Sequence, residues 1–219
     1  MISTGLQKLD EILRGGIPSS VITDIYGASG TGKTQLLLQI CINAAKKGEN
    51  VLFLDTTGGF RPERILEMQK RQNIEEEILD KITVSRITNT SEQINSIKNF
   101  NTKNYSLIVI DNITDLFSYE YQSDDSIFKK NFLFIKYLHE LSSYAIEKNI
   151  PIVVTNMIRH IDNKEIENMQ KAIDLSTHIK IRLYKESSKY KGEVSWLLNL
   201  NQFSYIIDSV GLSDNTEDF

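Results

Sequence analysis

Cysteine and long apolar runs are scarce in this sequence of 219 residues. Cys41 is the only cysteine, which excludes a disulfide within the chain, and its apolar neighbours indicate a buried, inert thiol. No apolar run approaches the length that crosses a bilayer, and residues 1–5 show neither the basic region nor the apolar region of a signal peptide. We therefore expect a cytoplasmic protein that makes no contact with a membrane.

A strong excess of charge is also missing. The net charge is −4, which gives no general attraction to nucleic acid, so any contact with DNA would need a local basic patch. An apolar share of 40% and a charged share of 25% are typical of globular proteins, and the length fits one large domain. We predict a single domain over residues 1–212, followed by an acidic, frayed tail over residues 213–219.

The most informative stretch is a glycine-rich segment between an apolar β-type run and an apolar helical run. It matches the complete phosphate-loop pattern G-x-x-x-x-G-K-[ST] and consists of Gly27, Ala28, Ser29, Gly30, Thr31, Gly32, Lys33 and Thr34. Glycines let backbone N–H groups converge on phosphate oxygens, and the following helix adds the positive end of its dipole. Lys33 would reach the β- and γ-phosphates, and Thr34 would offer its hydroxyl to Mg²⁺. The alternative is a glycine-rich turn without a ligand.

A second position points to a metal ion beside the phosphates. Residues 105–111 contain four consecutive aliphatic residues and end in Asp111. This pattern is typical of a buried strand that delivers one carboxylate at its carboxyl end, where it can hold the magnesium shell. We predict that Asp111 and Thr34 bind Mg²⁺, the alternative being an aspartate that only caps a turn.

Apolar β-type runs alternate with helical patterns along most of the chain. Strands are expected at residues 21–26, 51–55, 82–87, 105–111 and 151–155. Three further β segments are expected at 177–184, 193–200 and 203–208, with a charged turn at 185–192. This order predicts an α/β fold with a mostly parallel sheet flanked by helices and a C-terminal antiparallel hairpin extension.

A long helix is expected after residue 126, with one apolar stripe that we assign to the core. The stripe consists of Phe128, Phe132, Ile135, Leu138, Leu141 and Ala145.

Several motifs together resemble the ATPase core of the RecA/RadA recombinase family. They are Thr4-Gly5 with Leu9-Asp10 and Gly15-Gly16, the phosphate loop through Gln35, Phe60-Arg61-Pro62-Glu63-Arg64, the strand ending at Asp111, and Val153-Val154-Thr155-Asn156. The resemblance covers about residues 2–212 and is greatest to the short archaeal RadB-type paralogues. It implies a RecA-like P-loop NTPase core that binds ATP and Mg²⁺ and serves homologous recombination and DNA repair. It also implies a nucleotide contact for Gln35 and stacking of Arg64 on the adenine.

Two positions depart from the family pattern. Thr57 stands where the family has a glutamate that polarises the attacking water, and Met157 stands where it has a glutamine thought to read the γ-phosphate. Asp55 lies about 6.6 Å further back along its strand and should not substitute. Because loss of a positioned general base commonly costs ~10²–10⁴ in rate, and a thioether donates no hydrogen bond, we assign no catalytic residue. Hydrolysis should be slow or absent, unless neighbours such as Asn156 compensate.

The resemblance places contacts with single-stranded DNA in loops at about residues 119–130 and 156–171. Acidic residues balance the basic ones in both loops, and Arg159 in the second loop is the candidate contact there. The C-terminal hairpin is a better candidate, because only Glu186 opposes its cations in the sequence and its tyrosines offer faces for base stacking. These cations are Lys180, Arg182, Lys185, Lys189 and Lys191, of which the last three are our candidate DNA contacts. The alternative is an ordinary solvated hairpin.

Three functions remain open at the level of sequence. The first is an accessory protein that binds ATP and Mg²⁺, contacts single-stranded DNA modestly and assists a full-length recombinase or other recombination proteins. The second is an active DNA-dependent ATPase that forms its own filament. The third is a regulatory module that binds partners and ignores DNA.

Overall fold

The computed structural model describes residues 1–74, 77–162, 164–197 and 199–215. The helices in this part of the chain are α1 (Gln7–Ile12), α2 (Lys33–Ala45), α3 (Pro62–Arg71), α4 (Thr90–Asn95), α5 (Asp115–Glu120), α6 (Ile127–Lys148) and α7 (Gln170–Asp174). The strands are β1 (Ile22–Gly27), β2 (Val51–Asp55), β3 (Ile82–Arg86), β4 (Leu107–Asp111), β5 (Ile152–Ile161), β6 (Lys164–Glu167), β7 (Ile179–Glu186), β8 (Lys189–Trp196), β9 (Asn199–Ile207) and β10 (Leu212–Asp214).

The strands form one sheet in the order β10-β9-β8-β7-β1-β5-β4-β2-β3, and β6 pairs with the end of β5. Strands β7, β1, β5, β4, β2 and β3 are mutually parallel, whereas β8, β9 and β10 extend the sheet antiparallel from β7. The predicted α/β fold, with a mostly parallel sheet, flanking helices and an antiparallel C-terminal extension, is confirmed.

Each face of the sheet covers its own apolar core. Leu36, Ile40 and Phe53 belong to the core under α1, α2 and α3. Phe117 and Leu138 belong to the core under α5 and α6 on the opposite face. Strands β2 and β4 are buried along their whole length, because helices cover both faces of a parallel sheet.

The register brings the carboxyl ends of the central strands to one edge of the sheet. Asp55 in β2 lies opposite Asp111 in β4, and Gly27 in β1 lies opposite Met157 in β5. Ligands of such sheets bind at this edge, so the register gathers the sequence-predicted nucleotide residues in one place.

The prediction of one buried stripe along α6 is only half right. Leu138, Leu141 and Ala145 are buried, but Phe128, Phe132 and Ile135 are exposed. The buried face continues toward the start of α6 through Phe134 and Tyr137 instead. At ~100° per residue the exposed residues lie about a third of a turn around the helix from that face, so no core residue can cover them.

Two predicted loops are strands in the structure. Residues 156–171 were predicted as a loop that contacts DNA, but β5 continues to Ile161 and the chain then returns along β6. The charged turn predicted at 185–192 is reduced to Ser187 and Ser188, because charged side chains that alternate along an exposed antiparallel ladder face solvent without breaking it. Ser187 has φ 57°, a left-handed conformation that a two-residue hairpin requires.

The boundary of the acidic tail also needs correction. Ser213 and Asp214 belong to β10, which pairs with β9. The Asp214 carboxylate accepts hydrogen bonds from the backbone N–H groups of Gln7 (2.6 Å) and Lys8 (3.0 Å) at the start of α1. These bonds order the first residues of the predicted tail, while residues 216–219 lie outside the described residues.

Across the described parts of the chain, no helix combines the length and the apolar character needed to cross a membrane.

Candidate nucleotide site

The phosphate loop connects β1 to α2 with glycine at each position of positive φ. Gly27, Gly30 and Gly32 have φ of 154°, 80° and 92°. A Cβ on Gly27 would lie 2.0 Å from the carbonyl oxygen of Leu183 in β7, so the packing of the loop against that strand requires glycine. No side chain caps the start of α2, which leaves its first N–H groups available to an anion.

Two hydroxyl groups fix the shape of the loop. Thr31 donates to the carbonyl oxygen of Ala28 at 2.9 Å. The Tyr205 hydroxyl in β9 donates to the carbonyl oxygen of Thr31 at 2.7 Å, and its ring stacks against Tyr190. Sequence reasoning did not find Tyr205, because only the antiparallel extension brings β9 back to the loop.

Lys33 points back into the loop that it follows. Its ammonium donates to the carbonyl oxygens of Gly27 (2.9 Å) and Ala28 (2.8 Å). Burial lowers the pKa of Lys33, and the nearby Asp111 and Asp115 oppose that shift. The ammonium therefore lies at the phosphate end of the site, held by weak neutral acceptors that an anion could replace.

Asp111 and Thr34 are brought together as the sequence predicts. The Thr34 hydroxyl donates to Asp111 Oδ2 at 2.8 Å, and the Thr155 hydroxyl donates to Oδ1. Burial raises the pKa of Asp111, while the hydrogen bonds from Thr155 and Thr34 lower it. A hydroxyl and a carboxylate side by side at the phosphate loop are hard oxygen donors of the kind that Mg²⁺ prefers, so the residues fit this ion.

These residues line one open cavity of about 490 Å³. Its wall includes loop residues 29–30 and 32–34, together with Gln35, Thr57, Arg64, Asp111, Asp115 and Met157. The volume is in the range of small-molecule sites, roughly 300–1,000 Å³. Asp115 was not predicted as a site residue. Its position at the start of the helix after β4, close to Asp111 in the sequence, could have indicated it.

Arg64 lies at the mouth of this cavity with its guanidinium fixed in plane. It donates to Gln35 Oε1 at 2.9 Å, to Glu67 Oε2 at 2.6 Å and to the carbonyl oxygen of Asp208 at 2.9 Å. Hydrogen bonds around the edge of a guanidinium leave its flat faces for stacking, so the contact with adenine stays a prediction that the geometry permits.

Asp55 is fully engaged in holding the loop that follows β2. Its Oδ1 accepts from the backbone N–H groups of Thr57 (3.1 Å), Gly58 (2.7 Å) and Gly59 (3.1 Å), and its Oδ2 accepts from that of Phe60 (3.2 Å). These hydrogen bonds occupy both carboxylate oxygens and fix the side chain in position. The structure therefore supports the expectation that Asp55 does not replace the glutamate missing at Thr57.

Comparison with known proteins agrees with this geometry. A family profile described as Rad51 matches residues 1–182. The DNA repair and recombination protein RadB of Thermococcus onnurineus (strain NA1) is 36% identical over 168 residues, which cover 75% of this chain and 71% of that RadB. The chain belongs to the Rad51 family.

Two other relatives show how far the match extends. The RadB of Thermococcus kodakarensis is 34% identical over 168 residues, or 75% of this chain and 73% of that protein. The DNA repair and recombination protein RadA of Cenarchaeum symbiosum (strain A) is 33% identical over 169 residues, which cover 72% of this chain. The match spans only 42% of that RadA. The predicted resemblance to the RecA/RadA family is confirmed, and RecA-family NTPases generally use ATP and Mg²⁺.

In this Rad51-family chain, the side chain of Asn156 connects the nucleotide edge to the β5–β6 hairpin, and Met157 contributes its carbonyl oxygen, which accepts from the N–H of Asn168 at 2.8 Å. The Asn156 amide donates to Glu167 Oε1 (2.6 Å) and to the carbonyl oxygen of Asn168 (2.8 Å). Its oxygen accepts from the hydroxyl of Thr114, which follows β4 (2.6 Å). This network was not predicted from the sequence, since Glu167 comes from a segment predicted as a loop.

The structure leaves the hairpin less basic than the sequence suggests. Lys180 pairs with Glu167 and Asp174, and Arg182 pairs with Glu165. The expectation that Glu186 alone opposes the hairpin cations is therefore wrong, because the fold brings carboxylates from β6 and α7 against β7.

The other candidate DNA contacts remain predictions. The Lys185 ammonium lies 5.3 Å from the ring centroid of Tyr190, and Lys191 pairs with Glu186. Lys189 and Arg159 are exposed, the latter on β5. Exposed cations on two hairpins can reach a phosphate backbone, whereas Lys180 and Arg182 are already paired with carboxylates.

Proposed function

We propose that this chain holds ATP and Mg²⁺ without hydrolysing ATP rapidly and assists a full-length recombinase or other recombination proteins in the cytoplasm. The observation that carries the proposal is that the site has residues suited to binding a nucleotide but lacks the carboxylate that would activate water. Lys33, Thr34 and Asp111 are in place for a nucleotide and its metal, whereas Thr57 offers no carboxylate and Asp55 is tied to backbone N–H groups.

Each residue of the site would have a defined task. Thr34 and Asp111 would hold Mg²⁺, which neutralises phosphate charge when bound. Lys33 would exchange its two carbonyl acceptors for phosphate oxygens, and the N–H groups at residues 30–34 would surround the same anion. Gln35 and Arg64 would orient the base at the opposite end. None of these groups removes a proton from water, so binding is supported and rapid cleavage is not.

A paired measurement of binding and turnover tests the proposal. Binding of a fluorescent ATP analogue is measured with and without Mg²⁺, and phosphate release is measured with and without single-stranded DNA. We expect Mg²⁺-dependent binding with turnover far below the ~1 s⁻¹ that marks the low end of ordinary enzymes. Brisk, DNA-stimulated turnover would instead indicate an active recombinase, and absence of nucleotide binding would exclude both functions.

The variant Thr57→Glu tests whether the missing carboxylate causes the slow hydrolysis that we propose. We expect phosphate release to rise by about 10²-fold or more, since a positioned general base contributes typically 10²–10⁴. Thr57→Gln, which adds the same length without the charge, is the matched control and should leave the rate unchanged. An unchanged rate in Thr57→Glu would assign the defect to Met157 or to a group from a neighbouring subunit.

A partner-binding module that ignores DNA is the second candidate function. The ion pairs of Lys180 and Arg182 favour it, because they remove two of the hairpin cations from the surface available to phosphates. The two candidates differ in single-stranded DNA binding at low salt, where modest affinity supports the first and undetectable affinity supports the second.

A further inference from the structure

One face of α6 exposes large apolar side chains that no described residue covers. Phe128, Phe132 and Ile135 are 83%, 60% and 44% exposed. They follow one another at spacings of four and three residues and therefore share one stripe of the helix. Contiguous exposed apolar surface of this kind marks an interaction site more often than scattered single residues do.

The stripe borders a groove between α6, the β5–β6 hairpin and α7. The groove has a volume of about 530 Å³, and Ile135, Ile161, Ile166, Met169 and Leu175 supply its apolar lining. Leu175 at the end of α7 is 79% exposed. These aliphatic side chains share the lining with polar and charged ones, and Ile135 belongs to both the α6 stripe and the groove.

Three cations that make no ion pair within 4 Å to a described residue lie in or beside this groove: Arg159 and Lys171 line it, and Lys130 lies near Arg159. Lys130 at the start of α6 lies close enough to Arg159 on β5 for the two charges to repel, and its pKa is lowered by burial and by Arg159. Lys171 on α7 lines the groove and is exposed. Within the described residues, none of these three has a carboxylate oxygen within 4 Å.

Two neighbouring acids pair with other cations, whereas Asp115 interacts electrostatically with Arg159 itself. Glu165 on β6 pairs with Arg182, and Glu167 is buried against Lys180. The rim of the groove is therefore positive although the whole chain carries a net charge of −4.

We infer that this groove docks an acidic amphipathic helix of a partner protein, whose apolar anchors lie against Ile135, Ile161 and Leu175. The carboxylates of that helix face Lys130, Arg159 and Lys171. Helix-in-groove recognition uses apolar anchors at i, i+3, i+4 and i+7, which the aliphatic side chains of the lining can receive. The described residues that line the groove itself include no aromatic side chain, so its floor suits the aliphatic anchors of a peptide better than stacked bases, and Phe128 and Phe132 lie outside that lining.

The test uses designed peptides as probes against the full chain. The first is a fluorescein-labelled 16-residue helix with leucine at i, i+3, i+4 and i+7 and glutamate at most other positions. The others are a scrambled peptide of the same composition and a version with lysine in place of glutamate. We expect the acidic amphipathic peptide to bind at least about tenfold more tightly than either, because both apolar anchors and charge are needed.

Two protein variants locate the binding surface. The double variant Phe132→Ser with Ile135→Ser should bind the acidic peptide about tenfold or more weakly than the parent does, because the central apolar contacts are lost. Ile146→Ser is the matched control, since Ile146 lies on the same helix, is 61% exposed and is far from the groove in sequence. All three side chains are exposed, so the thermal midpoint of each variant should stay within a few degrees of the parent.

Several outcomes would overturn the inference. If the scrambled peptide binds as tightly as the amphipathic one, charge alone explains the affinity and no apolar anchors are used. Equal weakening by Ile146→Ser would show no specific surface. Displacement of the peptide by oligothymidylate with a steep salt dependence would assign the groove to nucleic acid. Concentration-dependent self-association that Phe132→Ser with Ile135→Ser abolishes would assign it to a second copy of the chain.

Discussion

At the scale of single residues, Asp24 is the least expected feature of the fold. It lies in the central strand β1, its side chain is fully buried, and neither carboxyl oxygen accepts a hydrogen bond from a described donor. Burial first and Glu167 second raise the pKa of Asp24 well above its ordinary value. Lys180 opposes this shift and Asp174 adds to it, but Lys180 is already paired with Glu167 and Asp174. The Asp24 carboxyl therefore keeps its proton to a higher pH than an exposed aspartate does.

Replacement of Asp24 by asparagine should change how stability depends on pH. The folded chain holds the Asp24 proton to a higher pH than the unfolded chain does, so the contribution of Asp24 is full below about pH 4 and is lost as the pH rises toward the folded pKa. Asp24→Asn removes this loss. We expect its free energy of unfolding, relative to the parent, to be higher at pH 8 than at pH 5 by about 1 kcal/mol or more.

Chemical denaturation at the two pH values measures the effect. Asp162→Asn is the matched control, since Asp162 is exposed and asparagine tolerates its left-handed φ of 49°. The same pH dependence in the parent and in Asp24→Asn would show that Asp24 is not the titrating group.

At the scale of elements, α1 depends on a residue from the far end of the chain. No side chain from the neighbouring sequence caps α1, and the Asp214 carboxylate from β10 accepts its first N–H groups instead. A carboxylate at a helix N-terminus gains both these hydrogen bonds and a favourable interaction with the helix dipole. The final strand therefore stabilises the first helix.

Asp214→Ala should lower the free energy of unfolding by about 0.5–2 kcal/mol, the usual cost of losing an N-terminal cap. Thermal or chemical denaturation measures the change. Asp80→Ala, at an exposed position for which the described residues supply no hydrogen-bond donor, should change stability by less than about 0.5 kcal/mol. Equal stability of Asp214→Ala and the parent would mean that water replaces the cap without cost.

The β7–β8 hairpin makes a separate prediction about DNA. Charge reversal at Lys185 and Lys189 should weaken single-stranded DNA binding. The slope of the logarithm of the binding constant against the logarithm of salt concentration should become shallower by about 0.7 per lost phosphate contact. Fluorescence anisotropy with labelled oligothymidylate at several salt concentrations measures both quantities. Lys46→Glu, an exposed lysine just after α2, changes the net charge at a single distant position. If Lys46→Glu has the same effect per charge, the hairpin makes no specific contact.

At the scale of the whole molecule, hydrogen bonds connect the metal position to both hairpins across the sheet. Thr155 in β5 contacts Asp111 in β4, and the next residue, Asn156, binds Glu167 in β6. Glu167 in turn pairs with Lys180 in β7. Residues from β4, β5, β6 and β7 thus belong to one polar network. Such a buried network is stable only when each polar group has a hydrogen-bond partner.

Asn156→Ala should loosen the β5–β6 hairpin without unfolding the sheet. Loss of the amide removes one hydrogen-bond partner from Glu167 Oε1 and one from the Thr114 hydroxyl, both buried, at a cost of about 1–3 kcal/mol. Backbone amides in residues 158–168 should therefore exchange with solvent about tenfold faster or more, as measured by hydrogen–deuterium exchange and mass spectrometry. Asn99→Ala, at an exposed site near α4, should leave the exchange of these residues unchanged. Unaltered exchange in Asn156→Ala would show that the hairpin is held by its backbone ladder alone.

Local sequence was sufficient for the parts of the site that lie within one strand, loop and helix. Glycine, lysine and threonine at fixed spacing predict the phosphate loop, and an apolar strand ending in Asp111 predicts the proposed metal position beside it, because each pattern has few other physical solutions. The same reasoning identified the parallel sheet, since strands that alternate with helices require crossover connections.

Tertiary structure decided the features that depend on groups far apart in the chain. Sequence could not show that Tyr205 holds the phosphate loop, that Glu165 and Glu167 neutralise β7, or that the start of α6 projects its apolar stripe into solvent. Helical periodicity reports which residues share a face, but only the packed sheet determines whether anything covers that face. The sequence by itself therefore determined the nucleotide edge, while folding determined which charges and apolar surfaces remain available to partners.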